Sequence, residues 1–289
     1  MKAHTLQLRI AEFNIELTST SKLELDEGYD HFIVKQSPYI NIFIACFAGF
    51  PQGLSLKSND LVFEATNDQQ KFYSIYKQSD RLIFILYNQK KINTVQQIGY
   101  LDASFSHWKI FSQGINGVIQ PMVYPMGPIL LHYITLQSDA AMMHASCAFD
   151  GINGRLFSGF SGSGKSTISK IWADAGSQII NDDRLIIRYQ QDAYYVYNTP
   201  MYYSDRSKKA SLNSIFLISH APENKIKRLK GAEAITKVMA FSIQNNFDPF
   251  WVEKRLEFFS KLCDQISVYS LGFVPNENVV KFILENELK

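Results

Sequence analysis

The residues Gly159-Phe160-Ser161-Gly162-Ser163-Gly164-Lys165-Ser166 fit the spacing G-x-x-x-x-G-K-[ST]. Glycines at these places let the backbone wrap closely with its N–H groups turned inward, and a helix starting there aims its partial positive charge at the same point. The predicted ligand is a nucleoside triphosphate, ATP with magnesium. Gly159, Ser161, Gly162, Ser163, Gly164, Lys165, Ser166 and Thr167 form the expected nucleotide cradle. Lys165 is placed to reach the β- and γ-phosphate oxygens, and Ser166 to put its hydroxyl on Mg²⁺. The plainer alternative is a glycine-rich turn between strand and helix that binds nothing.

Asn181-Asp182-Asp183-Arg184 follows at a distance that brings acids back to the loop. A helix from Lys165 to Gly176 rises roughly 16 Å, and a strand from Ser177 to Asp182 returns roughly 20 Å. Of two adjacent carboxylates at that point, one can bind magnesium and the other can take a proton from an attacking hydroxyl. Neighbouring side chains on a strand face opposite ways, so both can serve only if the strand ends at the pair. An acidic turn capped by Arg184 is the rival reading. His144 lies in an apolar stretch before the loop, where it is either a core histidine or a partner to an aspartate or the γ-phosphate. Arg206, in a charged cluster with Asp205, Lys208 and Lys209, is a candidate for offsetting transferred charge, or else belongs to a solvated loop. Tyrosines 194, 195, 197, 202 and 203 either line a pocket or pack a sheet.

These groups require a strand before the loop and a helix after it. MMHASCAFD and GRLFSGF read as strands joined across Gly151-Ile152-Asn153-Gly154, a hairpin signal. STISKIWADAG carries a helical apolar stripe closed by Gly176. SQIIN, RLIIRY, AYYVYN, SIFLIS and SVYSLGF read as strands, and ILLHYITLQ, AEAITKVMAFSI, PFWVEKRLEFFSKLCDQI and ENVVKFILENEL as helices.

The first part of the chain alternates polar and apolar residues in short runs, predicting a mainly antiparallel β-domain. YINIFIACFAGF is too short to span a bilayer and reads as a buried strand. Glycines and prolines between Gln113 and Pro128 place the expected boundary so that residues 1–121 form the β-rich domain, of unknown role, and residues 122–289 the nucleotide-binding one. A length of 289 residues suits two domains. Net charge +2, with 29 basic and 27 acidic residues, leaves no basic stripe and disfavours nucleic acid as a partner. No signal-peptide pattern is seen, no membrane partner is expected, and three widely spaced cysteines suggest a reducing, cytoplasmic setting.

The stretch HASCAFDGINGRLFSGFSGSGKSTISKIWADAGSQIINDDRLIIR, His144 to Arg188, resembles the kinase domain of HPr kinase/phosphorylase and its relatives. That resemblance implies an α/β fold, a mixed-sheet P-loop kinase domain akin to phosphoenolpyruvate carboxykinase. It implies Asp182 as catalytic base with His144 as its partner, Lys165 and Ser166 as phosphate and metal contacts, and Asp183 as a further metal-associated carboxylate. The glutamate and Arg-Gly signature of true HPr kinases is absent between Tyr189 and Ala210. The resemblance therefore implies a hydroxyl kinase rather than HPr as its substrate. The expected function is transfer of the γ-phosphoryl group to a hydroxyl-bearing acceptor, serine in a peptide or protein or else a small molecule. A non-catalytic ATP-binding regulatory module and an NTP hydrolase are the rivals, and self-association into a homo-oligomer is left open.

Overall fold

The computed structural model describes residues 3–92, 94–200, 206–243 and 247–287. They divide into two compact units: one holds the described residues up to Ile134 with Pro200 and Arg206, the other Thr135–Thr199 and the described residues from Ser207 onward. Both are rich in strands, and the chain is a mixed α/β protein with several sheets.

The first unit contains β1 (His4–Ile10), β2 (Phe13–Ser19), β3 (Lys22–Leu23), β4 (Ile33–Val34), β5 (Ile42–Ala48), β6 (Leu61–Asn67), β7 (Gln70–Lys77), β8 (Arg81–Tyr87), β9 (Val95–Asp102), β10 (His107–Ser112) and β11 (Val118–Ile119), and α1 (Met126–Leu136) begins within it. Nine of these strands form one sheet in the order β4-β1-β2-β5-β10-β9-β8-β7-β6, while β3 and β11 pair separately. The sheet is mainly antiparallel, but β5 runs parallel to both β2 and β10. The long connection before β5 makes this geometry accessible, since parallel neighbours cannot be joined by a tight turn. Alternation sorts the faces: on β10, Trp108 and Ile110 are buried while His107 and Lys109 are exposed. Phe84 stacks on Trp108 at 5.2 Å, and Tyr133 of α1 closes on Phe84 edge-on at 4.9 Å.

The second unit contains β12 (Ala140–Phe149), β13 (Gly154–Ser158), β14 (Gln178–Asn181), β15 (Arg184–Gln190), β16 (Ala193–Asn198), β17 (Lys209–His220), β18 (Lys225–Leu229) and β19 (Ser267–Phe273). Its helices are α2 (Lys165–Asp174), α3 (Gly231–Ala240), α4 (Pro249–Gln265) and α5 (Asn278–Asn286). β12 changes partner along its length: Ala140–His144 pairs with β15, and the following residues pair with β13. β17 also changes partner, meeting β16 antiparallel near its start and then β13 and β19 in parallel. β13 is thus buried between two strands and on both faces, which explains its unbroken run of buried residues.

Two apolar layers cover this sheet. Ile168 and Trp172 of α2 join Val279 and Ile283 of α5 against Phe157, Phe216 and Leu271. Ala234 and Val238 of α3 join Phe258, Phe259 and Leu262 of α4 against Met143, Leu156 and Leu185 on the other face. Each Val, Leu, Ile, Phe or Met side chain among these, fully buried, contributes about 1.5–3 kcal/mol relative to exposure. Gly176, at φ +92, ends α2, and Asp248 caps α4 by accepting from the Phe250 amide at 3.2 Å. The lysine-bearing strand β18, which the sequence pattern does not mark, pairs antiparallel with β19 at the sheet edge. Among the described residues, no helix is long and apolar enough to cross a membrane.

Candidate functional site

β13 delivers the chain to the glycine-rich segment, and α2 carries it away, so Gly159–Gly164 is the turn between a parallel strand and a helix. The glycines have different reasons to be there. A Cβ on Gly159 would stand 2.6 Å from Ser163 Oγ and 2.7 Å from the Ile218 carbonyl oxygen, so this position is fixed by close approach to β17. Gly162 and Gly164 adopt φ of +78 and +98, the left-handed region that favours glycine. Gly164 occupies the N-cap of α2 without a side-chain acceptor, leaving the first-turn amides to an external ligand. Among the described residues, the buried Ser163 Oγ has no hydrogen-bond partner, a second donor-acceptor group in the loop without a mate.

Lys165 is only 8% exposed and folds back across the loop, donating from Nζ to the carbonyl oxygens of Gly159 at 3.0 Å and Phe160 at 3.2 Å. Burial lowers its pKa, and Asp183 opposes the shift. Ser161, Ser166 and Thr167 are exposed on the loop and first helical turn.

β14 ends at Asn181, as the acidic pair requires. The buried Asn181 side chain makes the turn: its Oδ1 accepts from the amides of Asp182 at 2.7 Å and Asp183 at 3.1 Å. The Asp183 carbonyl oxygen accepts from the Ala145 amide at 3.0 Å, fastening the turn to β12. Next in register, His144 lies opposite Arg184.

This register decides which acid meets the histidine. His144 Nε2 is 3.4 Å from Asp183 Oδ1, and Arg184 Nη1 is 3.8 Å from Asp183 Oδ2. The partner of His144 is therefore Asp183, where the resemblance implied Asp182. The bend after Asn181 turns successive side chains apart and directs the second one at β12. The Asp182 carboxylate has no hydrogen bond or ion pair among the described residues. The pKa of His144 is lowered by burial first and then by Lys165, against the opposite pull of Asp183 and with a smaller contribution from Arg184. At neutral pH the ring is neutral, able to accept a proton or a hydrogen bond at one nitrogen.

Lys165, Asp183, His144 and Arg184 thus share one electrostatic cluster at the loop. Arg206 is exposed and belongs to the first unit. Asp205, Tyr202 and Tyr203 lie outside the described residues. Tyr194 and Tyr197 are buried in the sheet, and Lys209 stands 3.9 Å over the Tyr195 ring, so these three pack or cover strands.

Among the described residues, no group of three or more His, Cys, Asp or Glu side chains could hold a metal ion. Magnesium at a phosphate loop needs fewer protein ligands, because one or two carboxylates suffice when phosphate oxygens and waters supply the rest. The Ser166 hydroxyl and the Asp182 and Asp183 carboxylates are oxygen donors of the kind that fits.

Two aromatic groups, one in the loop and one beside it, carry no signal in the sequence motif. Phe160 is 78% exposed and meets Phe241 edge-on at 5.0 Å, on the flank where the Phe241 carbonyl accepts from the His144 amide. His220, exposed at the end of β17, stacks on Phe273 at 5.5 Å and donates from Nε2 to the Gly162 carbonyl at 3.2 Å.

No protein-family model matches the sequence, and no curated protein matches it. Among solved structures, the chain is similar to the Hpr(Ser) kinase/phosphatase from Coxiella burnetii, with 11% sequence identity over 51% of this chain and 95% of that one, at a TM-score of 0.30. This is a distant likeness, and the site's own geometry carries the functional reading.

Proposed function

We propose that the chain is an ATP- and magnesium-dependent kinase that transfers the γ-phosphoryl group to a hydroxyl, a serine of a peptide or protein or else a small hydroxylated molecule. One observation carries the reading: a buried lysine ammonium inside a glycine-walled loop faces the His144–Asp183 pair. A structural strand-to-helix turn needs neither a buried cation nor an acid brought back to it.

The loop amides and Lys165 would hold the polyphosphate, with Lys165 exchanging its two carbonyl acceptors for phosphate oxygens. Ser166 and Asp183 would hold magnesium, which supplies charge neutralisation on the phosphate oxygens. His144 and Arg184 keep the Asp183 carboxylate oriented. Asp182, whose carboxylate has no partner among the described residues, would take the acceptor's proton. The new bond joins the acceptor oxygen to the γ-phosphorus; the bond broken joins that phosphorus to the bridging oxygen, which leaves with ADP. Positioning and fixed charge, rather than covalent chemistry by the protein, would supply most of the acceleration.

The test is incubation with γ-labelled ATP and mixed peptide and metabolite acceptors, comparing wild type with Asp182→Asn and Asp183→Asn. Removing a general base slows transfer by about 10²–10⁴-fold with binding retained, which is the result expected for Asp182→Asn. Asp183→Asn should weaken magnesium affinity, so that more magnesium is needed for activity, and should also lower the rate. Transfer by Asp182→Asn at the wild-type rate removes Asp182 as the base. Tight ATP binding without any transfer would instead sustain the regulatory-module reading.

A further inference from the structure

The loop has two unlike flanks. β13 lies between β12, where Ala145 is registered with Ser158, and β17, where Leu217 is registered with the same Ser158. The β12 flank carries His144 and, through the Asn181 turn, Asp183. The β17 flank carries His220, three residues beyond Leu217.

If the terminal phosphate faces the histidine–aspartate pair, the other end of the ligand leaves across the opposite flank. There the geometry points to His220 as the shelf on which the nucleotide's purine base stacks. This inference rests on the phosphate-loop reading proposed above.

The His220 ring is held on two sides. One face lies on Phe273, with ring centroids 5.5 Å apart and planes 27° from parallel, and Phe273 is fully buried. Its Nε2 donates to the Gly162 carbonyl at 3.2 Å, which ties the ring's rotation to the phosphate loop. The loop packs close to both rings: a Cβ on Gly164 would lie 2.8 Å from Phe273 Cζ and 3.1 Å from His220 Cε1. Yet the His220 residue itself is exposed. A fixed aromatic ring with one buried face and the other in solvent loses little conformational freedom when a flat base covers it. Base stacking on such a ring depends on the π-face and not on hydrogen-bonding edges. A histidine needed only to brace the loop could be buried; this one keeps a face open beside it.

The experiment measures calorimetric affinities of the full chain for magnesium-ATP and for magnesium-tripolyphosphate, which has the phosphates without the nucleoside. Wild type should bind ATP more tightly. His220→Ala should weaken ATP by about tenfold or more, the scale of one base–aromatic stack, and leave tripolyphosphate unchanged. His220→Phe, which keeps the ring but loses the Gly162 bond, should retain ATP affinity. Equal weakening of both ligands by His220→Ala would reduce the histidine to a brace and overturn the inference. So would equal wild-type affinity for both ligands, or loss of the ATP preference in Phe160→Ala instead. Binding of neither ligand by wild type would overturn the phosphate-loop reading itself, and this inference with it.

Discussion

Replacing Gly164 by alanine puts a methyl group where the loop has no room for one, whereas the same change at Gly162 meets only open space. Gly162 sits at φ +78 with nothing within 4 Å of the added Cβ. Its cost is conformational, about 1–2 kcal/mol for a non-glycine residue in the left-handed region. Gly164 sits at φ +98, and its Cβ would approach Phe273 Cζ at 2.8 Å. Phe273 is fully buried against Ile168, Phe216 and Leu271, so its ring cannot step aside without disturbing that layer. Overpacking of this kind adds about 1–3 kcal/mol. Gly164→Ala should therefore destabilise the second unit by about 2–5 kcal/mol, and Gly162→Ala by about 1–2 kcal/mol. Urea titration followed by near-ultraviolet circular dichroism reads the difference as separated midpoints with unchanged slope. Coincident midpoints for the two variants would refute the loop geometry, because only steric contact with Phe273 distinguishes the positions so strongly.

Two further predictions use the electrostatics. Arg155 is 1% exposed, lies 4.8 Å over the Trp172 ring, and donates to Asp150 Oδ2 at 2.6 Å and from Nε to Glu287 Oε2 at 2.8 Å. Because Asp150 still pairs with Arg155, Glu287→Gln should cost about 1–3 kcal/mol in a urea titration, the penalty for weakening one of the two partners of a buried charge; a change below about 1 kcal/mol, as for an exposed pair, would contradict it. His144 should titrate below its ordinary value of 6.5 in proton NMR of the metal-free protein. Lys165→Met should raise that midpoint by removing a cation, and Asp183→Asn should lower it further by removing an anion. A depressed folded pKa means the unfolded chain binds more protons in this window, so His144 contributes stability that is present above pH 6.5 and lost as pH falls through the folded value. A wild-type midpoint at or above 6.5 would contradict the burial and the influence of the Lys165 charge.

What the sequence showed and what it hid divide along the range of the interactions involved. The β12–β13 hairpin, the strand-to-helix turn at Gly159–Gly164 and the end of β14 at Asn181 are local, and each is marked by residues that do the local work. Another turn is local but unmarked: Ala11 and Glu12 join β1 to β2 with φ of +48 and +62. Turns of this kind usually announce themselves by Asn-Gly or Asp-Gly; here the strand pairing holds residues of ordinary type in the left-handed region, and LQLRIAEFNIEL reads as one run. The parallel placement of β5 and the edge strand β18 depend on distant partners that no periodicity encodes. The same is true at the site. Adjacent aspartates look interchangeable in sequence, and only the register of His144 against Arg184 shows that Asp183 meets the histidine. His220 and Phe160 acquire meaning only because β17 and α3 end beside the loop.

The most direct test of the proposed phosphotransfer site is a crystal structure of the full chain with magnesium and a non-hydrolysable ATP analogue. The terminal phosphorus should lie beside Lys165 and the His144–Asp183 pair, with the Asp182 carboxylate open to the acceptor's side. An analogue bound in reverse, with its terminal phosphate at His220, or one seated away from Gly159–Ser166, would contradict the proposed transfer.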